Sequence, residues 1–129
     1  MVLMDTRIKT TGYEMTPETS EYLASRLAHV EKLLGDDALT ARCEVELGRD
    51  AGGQRHGEYV WFAEMQIIAP GSYRIRATNH SASINGAIDD VKEEVERQLK
   101  RERKLHIRIA RTGGAFAKRL MRFGRAAEE

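Results

Sequence analysis

Several features that define whole classes of protein are scarce or missing in this chain of 129 residues. Its single cysteine, Cys43, cannot form an internal disulfide, which argues against a disulfide-stapled secreted domain and favours a reducing compartment. No apolar run approaches the roughly 18 residues of a membrane-spanning helix, and the first residues show no signal-peptide pattern. We therefore expect a cytoplasmic protein of the ordinary globular class that does not contact membranes.

Catalytic and metal-binding patterns are equally scarce. The four histidines are scattered without metal-ligand spacing, and one cysteine cannot build a zinc site. No glycine-rich phosphate loop, nucleophile elbow or acidic pair stands out. We expect a protein that is not an enzyme, has no cofactor or metal, and takes no small-molecule substrate.

One tripeptide leaves an enzymatic alternative open. Gly52-Gly53-Gln54 matches the hydrolytic signature of peptide-release factors and of small ribosome-rescue hydrolases, some of which also end in a basic tail. The flanking residues do not continue that signature, and glycine pairs are common in hairpin loops. The alternative is therefore a peptidyl-tRNA hydrolase-type rescue factor in which Gln54 acts.

What the chain does have is a strong separation of charge. Residues 1–96 contain 10 Lys or Arg and 17 Asp or Glu, whereas residues 97–125 contain 11 Lys or Arg and one acid, Glu102. The net charge of +1 conceals this polarity. We call residues 97–125 the basic segment.

The hydrophobic pattern predicts four strands and two helices. Strand patterns occupy 5–13, 41–47, 59–69 and 73–79, with Ile8, Cys43 and Tyr59 among the residues on the inward faces. Thr16 is a candidate N-cap of the first helix and Gly35 its end. The predicted apolar stripes of the two helices are Leu23, Leu27, Val30 and Leu34, then Ile84, Ile88, Val91, Val95 and Leu99.

This order predicts an α+β fold. With one apolar face per strand and one apolar stripe per helix, a two-layer β-α-β-β-β-α sandwich results, with both helices packed on one face of a four-stranded sheet. We place the domain at 1–104 and a basic C-terminal tail at 105–129. Residues 105–111 alternate with period two, which predicts an extended start of that tail.

The basic segment predicts a polyanionic partner. Arg97, Lys100, Arg101 and Lys104 recur at helical spacing, and Arg108 and Arg111 extend the charge into the tail. Clustered cations of this kind bind phosphates and release counterions. The alternative is a solvated helix end that keeps the protein soluble. Apolar residues among the later cations leave a membrane-surface helix as a further alternative.

The exposed face of the sheet allows two interpretations as well. It offers five cations among three glutamates, and could continue an RNA-binding surface or simply hold cross-strand ion pairs. It lacks the aromatic run of an RNA-recognition motif, so backbone and shape contacts would dominate RNA binding. The cations are Arg7, Lys9, Arg42, Arg74 and Arg76, and the glutamates are Glu44, Glu46 and Glu64.

Two blocks of the chain, within roughly residues 6–104, resemble the ribosome hibernation-promoting factor family, which includes the ribosome-associated inhibitor. The first block is "GYEMTPETSEYLASRLAHVEKLL", and the second begins at "AEMQIIAPGSYRIRATN" and ends at "VERQLKRERK". The matching positions are Gly12, Thr16, Pro17, Tyr22, Leu27, Glu31, Lys32, Ala63, Glu64, Ala77, Ala87, Ile88, Asp89, Gln98, Leu99 and Lys100.

The resemblance implies a fold related to double-stranded-RNA-binding domains and a role on the ribosome. Members bind the small subunit and its rRNA across the tRNA and mRNA sites, and stop translation in stationary phase or under stress. By position, the implied rRNA contacts are Arg97, Lys100, Arg101 and Lys104, followed by Lys92, Arg26, Lys32, Arg74 and Arg76. A non-ribosomal RNA-binding stress module remains the other alternative.

The chain departs from the family pattern in two ways. The first helix has fewer basic residues and more glutamate than is usual in the family, and the basic tail is longer than in the short form. Such a tail resembles the inhibitor branch of the family, whose tail works against ribosome pairing. We expect a protein that inactivates single ribosomes and is monomeric away from the ribosome.

Overall fold

The computed structural model describes residues 4–50, 59–70, 73–102 and 105. In chain order these form strand β1 (Asp5–Thr11), helix α1 (Pro17–Leu34), a 3₁₀ helix (Gly35–Leu39), and strands β2 (Arg42–Arg49), β3 (Trp61–Ala69) and β4 (Tyr73–Ser81). A second helix, α2, covers 84–102, and Leu105 is also helical. The predicted α+β fold is confirmed.

The four strands form one mixed sheet in the order β1-β2-β3-β4. Strand β1 runs parallel to β2, which α1 makes possible by returning the chain to the starting end of the sheet. The β2–β3 and β3–β4 pairs are antiparallel. Two strands therefore lie at the edges, β1 and β4.

Both helices cover the same face of this sheet. One apolar cluster contains the predicted helical stripes together with the inward side chains of β2, β3 and β4. Cys43, Met65 and Ile67 from the strands and Val30 and Ile88 from the helices are fully inaccessible to solvent. Burial of this kind supplies most of the stability of a small domain, at about 25 cal/mol per Å² of apolar surface.

The ends of α1 follow the sequence signals. The Thr16 hydroxyl oxygen accepts a hydrogen bond from the backbone N–H of Thr19 at 3.2 Å, and Pro17 occupies the first helical position. Gly35 ends the helix with a φ of 58°, in the region where a side chain would be strained. The 3₁₀ helix that follows was not predicted.

Three expectations need correction. Ile8 is on the helix side, level with Val45, but 46% of it is exposed because the edge strand β1 lies beyond the helices. Tyr59 precedes β3 and is exposed rather than aligned with Trp61. Leu105 is helical, so the extended pattern does not begin there.

Candidate nucleic-acid interface

The basic segment begins on the exposed side of α2. Val91, Val95 and Leu99 face the core, and this spacing leaves Arg97 exposed. The helix continues through Lys100 and Arg101, which are also exposed. Three further predicted contacts, Lys104, Arg108 and Arg111, lie outside the described residues.

Arg97 is paired but remains open to solvent. Its Nε donates to Glu94 Oε2 at 3.2 Å, and its Nη2 contacts the same oxygen. The hydrogen bond from Arg97 to Glu94 raises the pKa of the guanidinium. Because 62% of the Arg97 side chain is exposed, the free edge of the guanidinium can still meet a phosphate.

Gln98 of α2 lies beside the edge strand β4. The Gln98 side-chain Nε2 approaches the backbone carbonyl oxygen of Arg76 at 3.4 Å. This contact places Arg97, the neighbour of Gln98, close to the strand that carries Arg74 and Arg76. Arg97 is more than twenty residues from Arg74 and Arg76 in the chain, and this contact joins the elements that carry them.

Arg74 and Arg76 both point to the outer face of the sheet, the side away from the helices. The Arg76 guanidinium pairs with Glu64 on β3. Arg74 instead donates from Nε to the Gln66 side-chain oxygen at 2.8 Å, with the Gln66 amide oriented accordingly. Glu64 neutralises part of the charge of Arg76, whereas the neutral Gln66 offsets none of the charge of Arg74.

Arg26 lies in a network between the two helices. Its Nε donates to Asp89 Oδ1 at 2.9 Å, its Nη2 donates to the Tyr22 hydroxyl at 2.9 Å, and the guanidinium stacks 4.1 Å from the Tyr22 ring centre. The Tyr22 hydroxyl donates to Asp89 Oδ2 at 2.5 Å. Arg26 therefore connects α1 to α2, and most of its donors are engaged.

The same network shifts the pKa values of Asp89 and Tyr22. Partial burial raises the pKa of Asp89, but hydrogen bonds from Tyr22 and Arg26 outweigh burial and leave it below its usual value. The hydrogen bond to Asp89 raises the pKa of Tyr22. The carboxylate and the phenol thus keep the charge states that the interhelical contact needs near neutral pH.

A known protein family matches most of the chain. The model of the family described as "Sigma 54 modulation protein / S30EA ribosomal protein" matches residues 6–106, most of the chain. The chain belongs to this family. The resemblance to ribosome hibernation-promoting factors is confirmed, and the family supports a ribosome-associated role.

Solved structures share the fold of this family member. The N-terminal domain of Protein Y from Thermus thermophilus is 22% identical, with a TM-score of 0.59 over 76% of this chain and 96% of that one. A ribosomal subunit interface protein from Coxiella burnetii is 15% identical, with a TM-score of 0.62 over 78% of this chain and 99% of that one. No curated protein sequence matches the chain significantly.

The remaining predicted contacts of this family member are on the helices. Lys92 forms an ion pair with Glu96, one turn further along α2, and each side chain is only 18% exposed. Lys32 is exposed near the end of α1, and no described residue pairs with it. Of the helical cations before residue 97, Lys32 is therefore the one best placed to meet a phosphate.

Other chemistry is limited in the described part of the chain. Burial raises the pKa of the Cys43 thiol to about 12, so Cys43 is an inert core residue. Among residues 4–50, 59–70, 73–102 and 105, no group of His, Cys, Asp or Glu side chains could hold a metal ion. Neither described helix is both long and apolar enough to span a bilayer. Gly52-Gly53-Gln54 lies outside the described residues.

Two residues that shape the interface were missed as functional. Gln66 holds Arg74, and Gln98 joins α2 to β4. Arg42, which shares the outer face with both arginines of β4, was expected there. Gln66 alternates with the buried Met65 and Ile67 along β3, which places it on the outer face. The strand register, which pairs residue 68 with residue 74 and brings Gln66 beside Arg74, cannot be read from either strand alone.

Proposed function

We propose that this protein is a ribosome hibernation factor that binds small-subunit rRNA in the decoding region and blocks tRNA and mRNA by occupancy. It acts in the cytoplasm, in stationary phase or under stress, without catalysis, cofactor or small-molecule substrate. Membership of the S30EA family over residues 6–106, together with the exposed cations that begin at Arg97, supports this function best.

The physical basis is electrostatic. The principal contacts are Arg97, Lys100, Arg101 and Lys104, with Arg108 and Arg111 extending them, while Arg74 and Arg76 contribute from β4. Each phosphate that a cation neutralises releases counterions, so the logarithm of affinity falls by roughly 0.7–0.9 per contact for each tenfold rise in salt. Arg26 and Lys92 contribute less, because their carboxylate-bound side chains are only 30% and 18% exposed, against 62% for Arg97 and 66% for Arg76. Lys32 also contributes less, as a single cation near the end of α1.

Co-sedimentation with purified small ribosomal subunits at increasing salt tests the proposal. We expect the variant with Lys100→Glu, Arg101→Glu and Lys104→Glu to bind at least roughly 100-fold more weakly than the natural chain at low salt. The single substitutions Arg101→Glu and Lys9→Glu form a matched pair, because each reverses one exposed cation. Equal losses for the two would reject the assignment of the contact surface to the end of α2.

Two further measurements separate the proposal from its alternatives. Gln54→Ala should leave ribosome binding and inhibition of translation unchanged, whereas a rescue hydrolase would lose its activity.

Free single-stranded or double-stranded RNA of comparable length should compete poorly with the subunit, because the proposed contacts depend on the shape of the decoding region. Equal affinity for free RNA and the subunit would favour a general RNA-binding module.

A further inference from the structure

The outer face carries a row of three side chains that lie level with one another across β2, β3 and β4. The register pairs Arg42 with Ile68 and Ile68 with Arg74, so an isoleucine stands between two exposed arginines. Neighbouring strands are about 4.8 Å apart, which places the two arginine backbones about 10 Å from each other. We call Arg42, Ile68 and Arg74 the arginine row.

Three arginines of the outer face contact neighbouring polar side chains. Arg42 Nε lies 3.5 Å from Glu44 Oε1, Arg76 pairs with Glu64, and Arg74 donates two hydrogen bonds to Gln66. In each case the arginine Nε takes part, so other N–H groups of the same guanidinium remain for a second partner. A cation that is already ordered loses less conformational entropy when it binds a phosphate.

The charge is not spread evenly over this face. Glu46 and Glu64 lie directly opposite each other, level with Lys9, and line a shallow depression of about 240 Å³. These carboxylates repel phosphates and offset the charge of Lys9. The arginine row lies four residues further along the strands, where Arg74 has the neutral partner Gln66. The carboxylates of this part of the face lie beside Arg42, since Asp5 is level with it and Glu44 contacts it.

The strand that carries Arg74 also contacts α2. The contact between Gln98 and the Arg76 carbonyl joins the helix to β4, and Arg74 is two residues from Arg76 on the same face of that strand. We call Arg97, the β4 edge and Arg74 the cationic path.

We infer that this path is one RNA-binding surface, and that the arginine row contacts the phosphate backbone of rRNA on the side of the sheet opposite the helices. The inference rests on the proposed function and extends it, because the protein would contact RNA on two sides rather than at one end. Arg74 is the principal cation of the row, Arg42 the second, and Gln66 a positioning residue for Arg74. The exposed part of Ile68 supplies apolar contact between them.

Two substitutions on the outer face test this inference by salt-dependent co-sedimentation with small subunits. Arg74→Gln removes the charge, and we expect roughly 3–10-fold weaker binding near 0.1 M salt and a salt slope smaller by about 0.7–0.9. Gln66→Glu keeps the shape but gives Arg74 a charged partner, and should weaken binding in the same direction. Lys9→Gln, in the acidic depression, is the matched control and should change binding less than about twofold.

The outcomes distinguish the two levels of the proposal. If the natural chain binds and both Arg74→Gln and Gln66→Glu match Lys9→Gln in affinity and slope, the arginine row is not an RNA contact, while the proposed function stands. If the natural chain does not bind small subunits at all, the proposed function itself fails. Thermal unfolding of each variant checks that the fold is retained, which we expect because Arg74, Gln66 and Lys9 point away from the core.

Discussion

The two sides of the sandwich have opposite electrostatic character. The helical side, residues 17–39 and 84–99, contains ten Asp or Glu and four Lys or Arg, and three of those four cations hold carboxylates. The outer face has five Lys or Arg and four Asp or Glu, and its Arg74 has a neutral partner. A search for clusters of basic residues along the helices would therefore find little before Arg97.

This difference teaches that a cation in the sequence is not always a cation available to a ligand. Arg26 and Arg74 are both arginines that the family resemblance assigns to RNA. Arg26 joins the helices through Asp89, whose carboxylate offsets its charge, whereas Arg74 is ordered by a neutral amide that offsets none of it. The partner of each arginine, more than its position in the chain, decides which of them can neutralise a phosphate.

The largest effect that we expect is a loss of stability that differs between the two faces of the sheet. Ile67 and Ile68 are neighbours on β3, but Ile67 is fully buried on the helix side and Ile68 is half-buried on the outer face. We expect Ile67→Ala to lower the free energy of unfolding by about 2–5 kcal/mol and Ile68→Ala by about 1 kcal/mol or less. Chemical denaturation measures both, and equal losses would contradict the two-layer arrangement.

We expect a smaller loss of stability at Gly48 on the outer face, where neighbouring atoms leave no room for a side chain. A Cβ on Gly48 would lie 2.4 Å from the Thr11 carbonyl oxygen and 2.7 Å from the Phe62 ring, so the backbone or the ring must move. We expect Gly48→Ala to cost about 1–3 kcal/mol in unfolding free energy. Gly86→Ala is the control, because the nearest atom to its Cβ would be the Ser81 hydroxyl oxygen at 2.3 Å, which can rotate away while the backbone stays in place. A control variant that is as unstable as Gly48→Ala would count against this steric explanation.

The interhelical network should contribute less. Asp89→Asn removes the charge that Tyr22 and Arg26 bind, and we expect a melting temperature about 2–5 °C lower at neutral pH. Asp90→Asn, at the exposed neighbouring position, should change it by less than about 1 °C.

The pH dependence of this effect has a defined sign. The pKa of Asp89 is lowered in the folded state, so the stabilisation is complete above about pH 4, the value of an unfolded aspartate. It decreases as the pH falls through the lower folded pKa. The melting curves of the natural chain and Asp89→Asn should therefore converge below about pH 4, and a constant difference at low pH would assign the effect to something other than the carboxylate charge.

The smallest effect is expected on the helical side. Glu21→Lys replaces a negative charge with a positive one at an exposed position of α1, far along the helix from Lys32. Because the proposed RNA contacts begin at Arg97 and continue onto β4, we expect less than a twofold change in subunit affinity at 0.15 M salt, where charges beyond roughly 8 Å are screened. A gain as large as the loss from Arg74→Gln would mean that α1 also lies against RNA.

The sequence patterns predicted those parts of the fold that depend on local rules. Thr16 and Gly35 mark the ends of α1, and the spacing of the leucines in α1 and valines in α2 gives the buried stripes. The expectations for Ile8 and Tyr59 were wrong because alternation gives the side of a strand but not how far the helices extend over it or where the strand starts. The site was predictable as a set of cations, while the partners of Arg26 and Arg74 depend on tertiary contacts and register.

The most direct test is the affinity of the purified chain for small ribosomal subunits measured at a series of salt concentrations. We expect tight binding in dilute buffer and a linear fall of log affinity against log salt with a slope of roughly −3 or steeper, corresponding to at least four neutralised phosphates. Absence of binding in dilute buffer, or binding that salt does not weaken, would contradict a cationic surface that holds this protein on rRNA.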